Sequence, residues 1–345
     1  MQLLRSIATV SIGLCASTLP AAAQSSPATE ADEKAVWVTR AVQATRVEHH
    51  TFASAATATA VSYHLYVPAA YTAEPERRFP VVYWLHGSGG GLSGIAKVAR
   101  RFDEAIAAGE LPPLLVVFVN GLAEGMYVDW KDGSRPVESM IVKDLVPHID
   151  ASFRTLAARE GRLLDGFSMG GYGAARLGFK FPETFRAVSI VGAGPMQEEL
   201  TRTPRANRAR AESLLRRVYG GEQAHFRAVS PRTLATENAE VLARDSLVRI
   251  VIGDKDETYR NNVAFHEHLE SLKIPHEWKV LPGVAHDPMA VVDALGAQNW
   301  TFYRAAFGAE REDATKPATD RAGESPPRVP TPAPASAAPA PKIGG

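Results

Sequence analysis

A serine framed by glycines, Gly166-Phe-Ser168-Met-Gly170, follows the apolar pair Leu163-Leu164 and precedes small residues, Gly171 to Ala175, that suit a packed helix. A serine between a strand and a helix sits on a tight turn, and flanking glycines keep Cβ atoms away from the crossing backbone. Its hydroxyl then stands above the sheet edge, at a helix start whose N–H groups favour negative charge. Serine attacks a carbonyl only when a base takes its proton, and the base needs a carboxylate to fix its tautomer and stabilise its cation. Both occur downstream in the order serine, aspartate, histidine. Gly253-Asp254-Lys-Asp256-Glu257 follows the apolar run ending at Ile252, and Pro282-Gly-Val-Ala-His286-Asp287 follows the run ending at Leu281. The chemistry implied is acyl transfer through a serine ester, with Ser168 as nucleophile, His286 as base and Asp256 as the preferred acid. Asp254 then structures the turn, or the two aspartates exchange roles. His266 and His268 fall in a helical pattern, His225 in an insertion, and His276 at the wrong end of a strand, so they fit the base less well.

A developing oxyanion needs donors. Phe79-Pro-Val-Val-Tyr-Trp-Leu85 is a continuous apolar run that empties into His86-Gly-Ser-Gly-Gly-Gly91. The Lys-Ser/Thr of a phosphate-binding loop is missing, and the spacing is not that of a dinucleotide site. His-Gly followed by small residues suits an oxyanion loop, with the amides of Ser88 and Met169 as donors. His86 and Gly87 of this loop are candidate substrate contacts. So is Trp130, in the loop Tyr127-Val-Asp-Trp-Lys-Asp-Gly133, whose aromatics are expected partly exposed beside the serine. Adjacent His49-His50 on a strand point to opposite faces, which argues against a shared metal, and no metal site is expected.

The elements that must hold these residues alternate. Period-two patterning over 36–68 predicts antiparallel opening strands. Strands at 79–85, 114–120, 163–167, 187–191, 247–252 and 277–281 alternate with helices at 95–108, 136–153, 172–181, 263–272 and 291–307. That order predicts an α/β fold with a mostly parallel central sheet and helices on both faces. Ligand sites in such sheets lie at the carboxyl ends of strands, where all three motifs fall. Glu138 reads as a first-turn acid opposing the helix dipole. The insertion 195–244 reads as a small helical cap over the site. Its Arg202, Arg205, Arg208, Arg210, Arg216 and Arg217 are expected to form a solvated face, with recognition of an anionic substrate group as the alternative.

The 345 residues carry 38 basic and 38 acidic side chains and are 45% hydrophobic, an ordinary globular balance with no pull toward nucleic acid or an anionic membrane. Residues 1–23 read as a cleavable signal peptide: Arg5, an apolar stretch from Ile7 to Leu19, then Ala21-Ala-Ala23. The stretch is too short for stable membrane insertion, and a secreted or periplasmic location follows. The one cysteine, Cys15, lies inside it, so the processed chain has neither a disulfide nor a thiolate nucleophile. Residues 313–345, rich in Pro and Ala, read as a disordered tail. The folded domain is expected over 35–310.

Residues from about Tyr63 to Phe307 resemble the family of esterase D, feruloyl and acetyl-xylan esterases, enterochelin-type esterases and mycolyltransferases. The resemblance rests on Leu65-Tyr-Val-Pro68, Tyr83-Trp-Leu-His-Gly-Ser-Gly89, Asp129-Trp130, Leu145-Val-Pro-His-Ile-Asp150, Gly166-Phe-Ser-Met-Gly-Gly171, Gly253-x-x-Asp256 and His286-Asp287. It implies an α/β-hydrolase fold, no cofactor, a Ser168–Asp256–His286 triad and Ser88 and Met169 as oxyanion donors. Its Gly-x-x-Asp pattern is a second reason to prefer Asp256. The expectation is a serine carboxylesterase acting on small-molecule or polysaccharide-linked esters, acetyl or feruloyl. Its rivals are an acyltransferase to a sugar alcohol and a non-catalytic carbohydrate- or partner-binding module. The latter has no need of all three triad residues.

Overall fold

The computed structural model describes residues 35–308, so the expected leader at 1–23 and tail at 313–345 lie outside the described residues. The elements all fall in the unit that begins at Trp37. Eight strands, β1 (Val47–Ser54), β2 (Thr59–Tyr66), β3 (Val81–Leu85), β4 (Leu115–Val119), β5 (Arg162–Phe167), β6 (Ala187–Val191), β7 (Leu247–Gly253) and β8 (Glu277–Leu281), form one sheet in the order β1-β2-β4-β3-β5-β6-β7-β8. β1 and β2 pair antiparallel, β2 joins β4 antiparallel, and the rest is parallel. The central strands are the continuous apolar runs: Val-Val-Tyr-Trp-Leu in β3 and Leu-Val-Val-Phe-Val in β4 are buried throughout. That is what a strand covered on both faces requires.

The helices are α1 (Ala70–Ala73), α2 (Leu92–Ala107), α3 (Val137–Ser139), α4 (Val146–Ser152), α5 (Met169–Lys180), α6 (Arg208–Tyr219), α7 (Gln223–Ala228), α8 (Pro231–Glu237), α9 (Ala239–Asp245), α10 (Tyr259–Ser271), α11 (Pro288–Leu295) and α12 (Gln298–Ala306). Val82, Trp84, Leu163 and Ala187 turn to one face of the sheet and pack with Ile95 and Phe102 of α2 and Trp300 and Tyr303 of α12. Their neighbours point the other way, where Val188 meets Gly178 of α5. Helices therefore cover both faces, as the alternation predicts.

Two expected helices are interrupted, each for a local reason. The stretch 136–153 runs as α3, a π-helical segment Met140–Leu145, and α4. Pro147 has no N–H to offer the Lys143 carbonyl, and its ring crowds that turn. The expected helix 291–307 is divided into α11 and α12 at Gly296, whose φ of 52° takes the chain out of the helix.

β1 and β2 set histidines against one another. His49 pairs across the ladder with His64, their rings 4.8 Å apart, whereas His50 stacks on Tyr63. Burial, and then the neighbouring His49, lower the His64 pKa to about 4. An unfolded histidine titrates near 6.5, so between about pH 6.5 and 4 the unfolded chain takes up a proton that the native state refuses. Stability therefore rises with pH across that window and falls on acidification. Melting temperatures between pH 7 and 4.5 should decline, and His64→Gln should make the decline shallower. An unchanged slope would remove His64 from the acid response.

Candidate active site

Ser168 joins β5 to α5 with φ 60° and ψ −118°, a region that side chains with a Cβ rarely occupy. Holding it there costs of order 1–3 kcal/mol. The turn is fixed by the Ser168 N–H, which donates to the Val191 carbonyl (3.0 Å), and by its own carbonyl, which accepts from Tyr172 and Gly194. Gly166 and Gly170 are there because nothing larger fits. A Cβ on Gly166 would overlap the Gly170 carbonyl, and one on Gly170 the Leu85 carbonyl.

His286 arrives on the loop between β8 and α11. Its Nδ1–H donates to Asp256 Oδ2 (2.7 Å), which leaves Nε2 to accept the Ser168 hydroxyl proton (2.9 Å). The Phe167 ring packs 4.6 Å from the imidazole, and the next residue, Asp287, caps α11 by accepting from the Met289 and Ala290 amides. Asp256, 4% exposed, follows β7. Its Oδ1 accepts both the amide and the hydroxyl of Thr258 (2.7 Å each), so Oδ2 is aimed at the imidazole. Burial pushes this carboxyl up, but the hydrogen bonds from His286 and Thr258 hold it below the usual range, ionised. Asp254 does not reach the imidazole. It accepts the Gly283 N–H (2.7 Å) and so ties the β7 turn to the loop that carries His286. Among the described residues, Asp256, Glu257 and His286 are the one group of three grouped closely enough to hold a metal. Two of them are already bonded to each other.

The loop after β3 lies directly over the serine: a Cβ on Gly87 would stand 3.3 Å from Ser168 Cβ. Ser88 lines the same cavity, and the Met169 amide opens α5 with no partner in the helical ladder. His86 also touches the cavity, yet both ring nitrogens are engaged. Nδ1–H donates to the Gly87 carbonyl (2.7 Å) and Nε2 accepts the Gly121 amide (3.2 Å). Burial lowers its pKa, so it stays neutral and shapes the loop.

The cavity above Ser168 holds about 500 Å³. Trp84, Phe167 and Met126 supply apolar wall, and Pro195, Arg205 and Leu214 of the insertion close over it. Trp130 is not part of it. The expectation of an exposed aromatic beside the serine fails because the insertion lies on that loop. Trp130 is 6% exposed between the guanidiniums of Arg135 (4.4 Å) and Arg217 (5.9 Å), and the Lys131 amide donates to Val218 of α6. The cap arginines are mostly ion-paired: Arg208 to Glu212, Arg205 to Glu257, and Arg210 and Arg217 to Glu124.

Two residues hold the site together in roles the sequence does not announce: Arg176, and Tyr127, which is buried where the aromatics of its loop are expected partly exposed. Tyr127 is fully buried at φ 53°, packs on Gly121 and Gly173, and donates its hydroxyl to the His86 carbonyl (2.9 Å). Arg176 of α5, 1% exposed, donates to the Tyr127 carbonyl (2.9 Å) and the Val229 carbonyl (3.0 Å) and pairs with Glu138. Glu138 stands in the first turn of α3, as expected, and is in addition a buried ion-pair partner of Arg176 and Lys180. An arginine in the small-residue helix Met169–Lys180 was the one visible signal. Because Tyr127 sets the peptide two residues before Ser88, Tyr127→Phe should lower kcat roughly tenfold with KM nearly unmoved, as small misplacements at a reacting centre do. Equal changes in kcat and KM on any ester would make its role packing alone.

The family model described as putative esterase matches residues 54–314. Among curated proteins, the chain is 28% identical over 172 residues to an endo-1,4-beta-xylanase/feruloyl esterase of Xylanibacter ruminicola, covering 46% of this chain and 23% of that one. It is 35% identical over 120 residues to an esterase of Mycobacterium tuberculosis, covering 33% and 25%. The match thus spans about a quarter of the length of these relatives. Among solved structures, a ferulic acid esterase superposes with a TM-score of 0.61 at 21% identity, over 76% of this chain and 98% of that one. A ferulic acid esterase of Anaeromyces mucronatus in complex with ferulic acid gives 0.58 at 20%, over 80% and 96%. An S-formylglutathione hydrolase of Agrobacterium tumefaciens gives 0.58 at 20%, over 75% and 95%. These likenesses establish the α/β-hydrolase fold.

Proposed function

The chain belongs to the putative esterase family, and from that premise we propose that it is a serine hydrolase cleaving carboxylic esters through an acyl-serine intermediate. The observation that carries this is the continuous line from Asp256 Oδ2 through His286 to Ser168 Oγ, at the floor of a cavity large enough for an ester. Ser168 Oγ attacks the ester carbonyl as its proton passes to His286 Nε2. The imidazolium is stabilised by Asp256 and returns the proton to the departing alcohol. Water, deprotonated by the same nitrogen, then releases the acid and restores Ser168. The oxyanion is assigned to the amides of Ser88 and Met169, each worth about 3 kcal/mol by analogy with other acyl-transfer sites.

The substrate assigned is an acetyl or feruloyl ester, small or attached to polysaccharide, met outside the cytoplasm after removal of residues 1–23. The likeness to a feruloyl esterase and to a ferulic acid esterase in complex with ferulic acid, and the volume of the cavity, support this reading. Among the described residues no helix is long and apolar enough to cross a membrane. The test is hydrolysis of p-nitrophenyl acetate, p-nitrophenyl butyrate and methyl ferulate by the wild type and by Ser168→Ala. Serine-dependent release of acid supports the proposal, and no turnover on any of the three overturns it.

A further inference from the structure

The esterase reading leaves unexplained why the wall of the cavity facing the triad carries charge. Arg205 sits at the tip of a turn closed by paired backbone hydrogen bonds between Thr203 and Ala206 (3.3 and 3.2 Å). Arg210 stands in the first turn of α6, its amide held by Asn207 Oδ1 (2.9 Å). Both line the cavity that contains Ser168 and His286. The bond geometry leaves both guanidiniums largely uncommitted. Arg205 gives one N–H to Glu257 (2.8 Å) and Arg210 gives one to Glu124 (2.5 Å), out of five on each group. Glu124 is itself divided, its second oxygen being taken by Arg217. Three guanidiniums thus share two carboxylates, so within this cluster one positive charge is left over; Arg205, Arg210 and Glu124 are its members that line the cavity, across from the Asp256–His286 pair.

The pairs with Glu257 and Glu124 tie the insertion down, but they do not account for the start of α6. The first turn of α6 contains no acid but does contain arginine, the wrong sign for the positive end of a helix dipole. Arg208 is answered by Glu212 on the outer surface, whereas Arg210 reaches the cavity. A surplus cation at such a place is a rule broken locally, and such departures concentrate at functional surfaces.

Resting on the esterase reading, we infer that the preferred substrate is an ester bearing a carboxylate remote from the scissile bond, received by Arg205 and Arg210. Planar guanidinium forks match a carboxylate in both charge and shape. The competing role for these pairs, a latch that only holds the cap down, affects neutral and anionic esters alike, and that difference is what the experiment reads.

Two matched pairs separate the sides of the ester. p-Nitrophenyl hexanoate against the p-nitrophenyl monoester of adipic acid places the charge on the acyl group. Phenyl butyrate against 4-butyryloxybenzoate places it on the alcohol. In one pair the anionic member should show kcat/KM about 5- to 20-fold above its neutral partner at about 20 mM salt, through KM, and the ratio should shrink in about 0.5 M salt as screening takes hold. In Arg205→Gln/Arg210→Gln, with folding checked by circular dichroism, the ratio should fall to near one. The salt dependence in the wild type gives a reading even if the variant does not fold. A ratio at or below one in both pairs, a salt-independent ratio, or a ratio that survives in the folded double variant overturns the inference. Turnover of the neutral esters in those cases leaves the esterase reading standing, whereas no serine-dependent turnover on any ester removes both.

Discussion

Ser168→Ala is expected to lower kcat by about 10⁴-fold or more with the fold retained, the loss seen when a triad nucleophile is removed and only binding and oxyanion donors remain. The Ser168 hydroxyl has one polar partner, His286 Nε2, so its removal leaves no buried donor stranded: the imidazole still faces the cavity. The backbone is equally constrained in both proteins, because alanine has the same Cβ at φ 60°. Melting temperature should consequently stay within a few degrees, which separates chemistry from folding. Ser168→Gly should be inactive as well but more stable than the alanine variant by about 1 kcal/mol, since glycine relieves the strained turn. The measurement is steady-state hydrolysis together with mass spectrometry after a fluorophosphonate. A wild-type adduct on Ser168 that is absent from the variant accords with the role assigned here. An alanine variant within tenfold of wild type removes Ser168 as nucleophile.

What was legible in the chain follows from what is local. Each proposed triad residue lies within a few positions of the carboxyl end of a strand, so the alternation that predicts the sheet also brings Ser168, Asp256 and His286 to one edge. The strand 187–191 has the expected limits because its five residues are apolar or small, with a turn on each side. Trp130 was placed wrongly for a nonlocal reason. Whether an aromatic loop faces the cavity or the cap depends on where the insertion that carries Arg217 comes to rest, and no period in the chain encodes that. Tyr127, in the same loop, is buried for a different nonlocal reason: its ring packs on Gly173 of α5 and its hydroxyl reaches back to the His86 carbonyl, on a left-handed backbone that sequence does not announce for tyrosine. The division of the last helix was nearer to hand: Gly296 lies at the break. The apolar pattern on its two sides stayed in phase well enough to conceal it.

The choice between the two aspartates gives the second large effect. Asp256→Asn is expected to lower kcat by about 10⁴-fold, whereas Asp254→Asn should lower it only a few-fold. In Asp256→Asn the side chain keeps its size, and the new carbonyl oxygen can still accept from Thr258. The amide then turns an N–H toward His286 Nδ1, which must become the acceptor. The ring proton is forced to Nε2, where it points at Ser168 Oγ, and the base can no longer take a proton from the nucleophile. The negative charge that would stabilise the imidazolium is lost at the same stroke. At position 254 the carboxylate accepts the Gly283 N–H, lies 4.0 Å from an exposed Lys255 Nζ and stands 35% exposed, so an asparagine carbonyl can replace it at a cost of about 1 kcal/mol in stability. The two variants should therefore separate cleanly: one folded and nearly inactive, the other slightly less stable and active. Measured kcat values with melting curves test the assignment. A crippled Asp254→Asn beside an active Asp256→Asn would exchange the roles and require the β7 turn to rearrange when substrate binds.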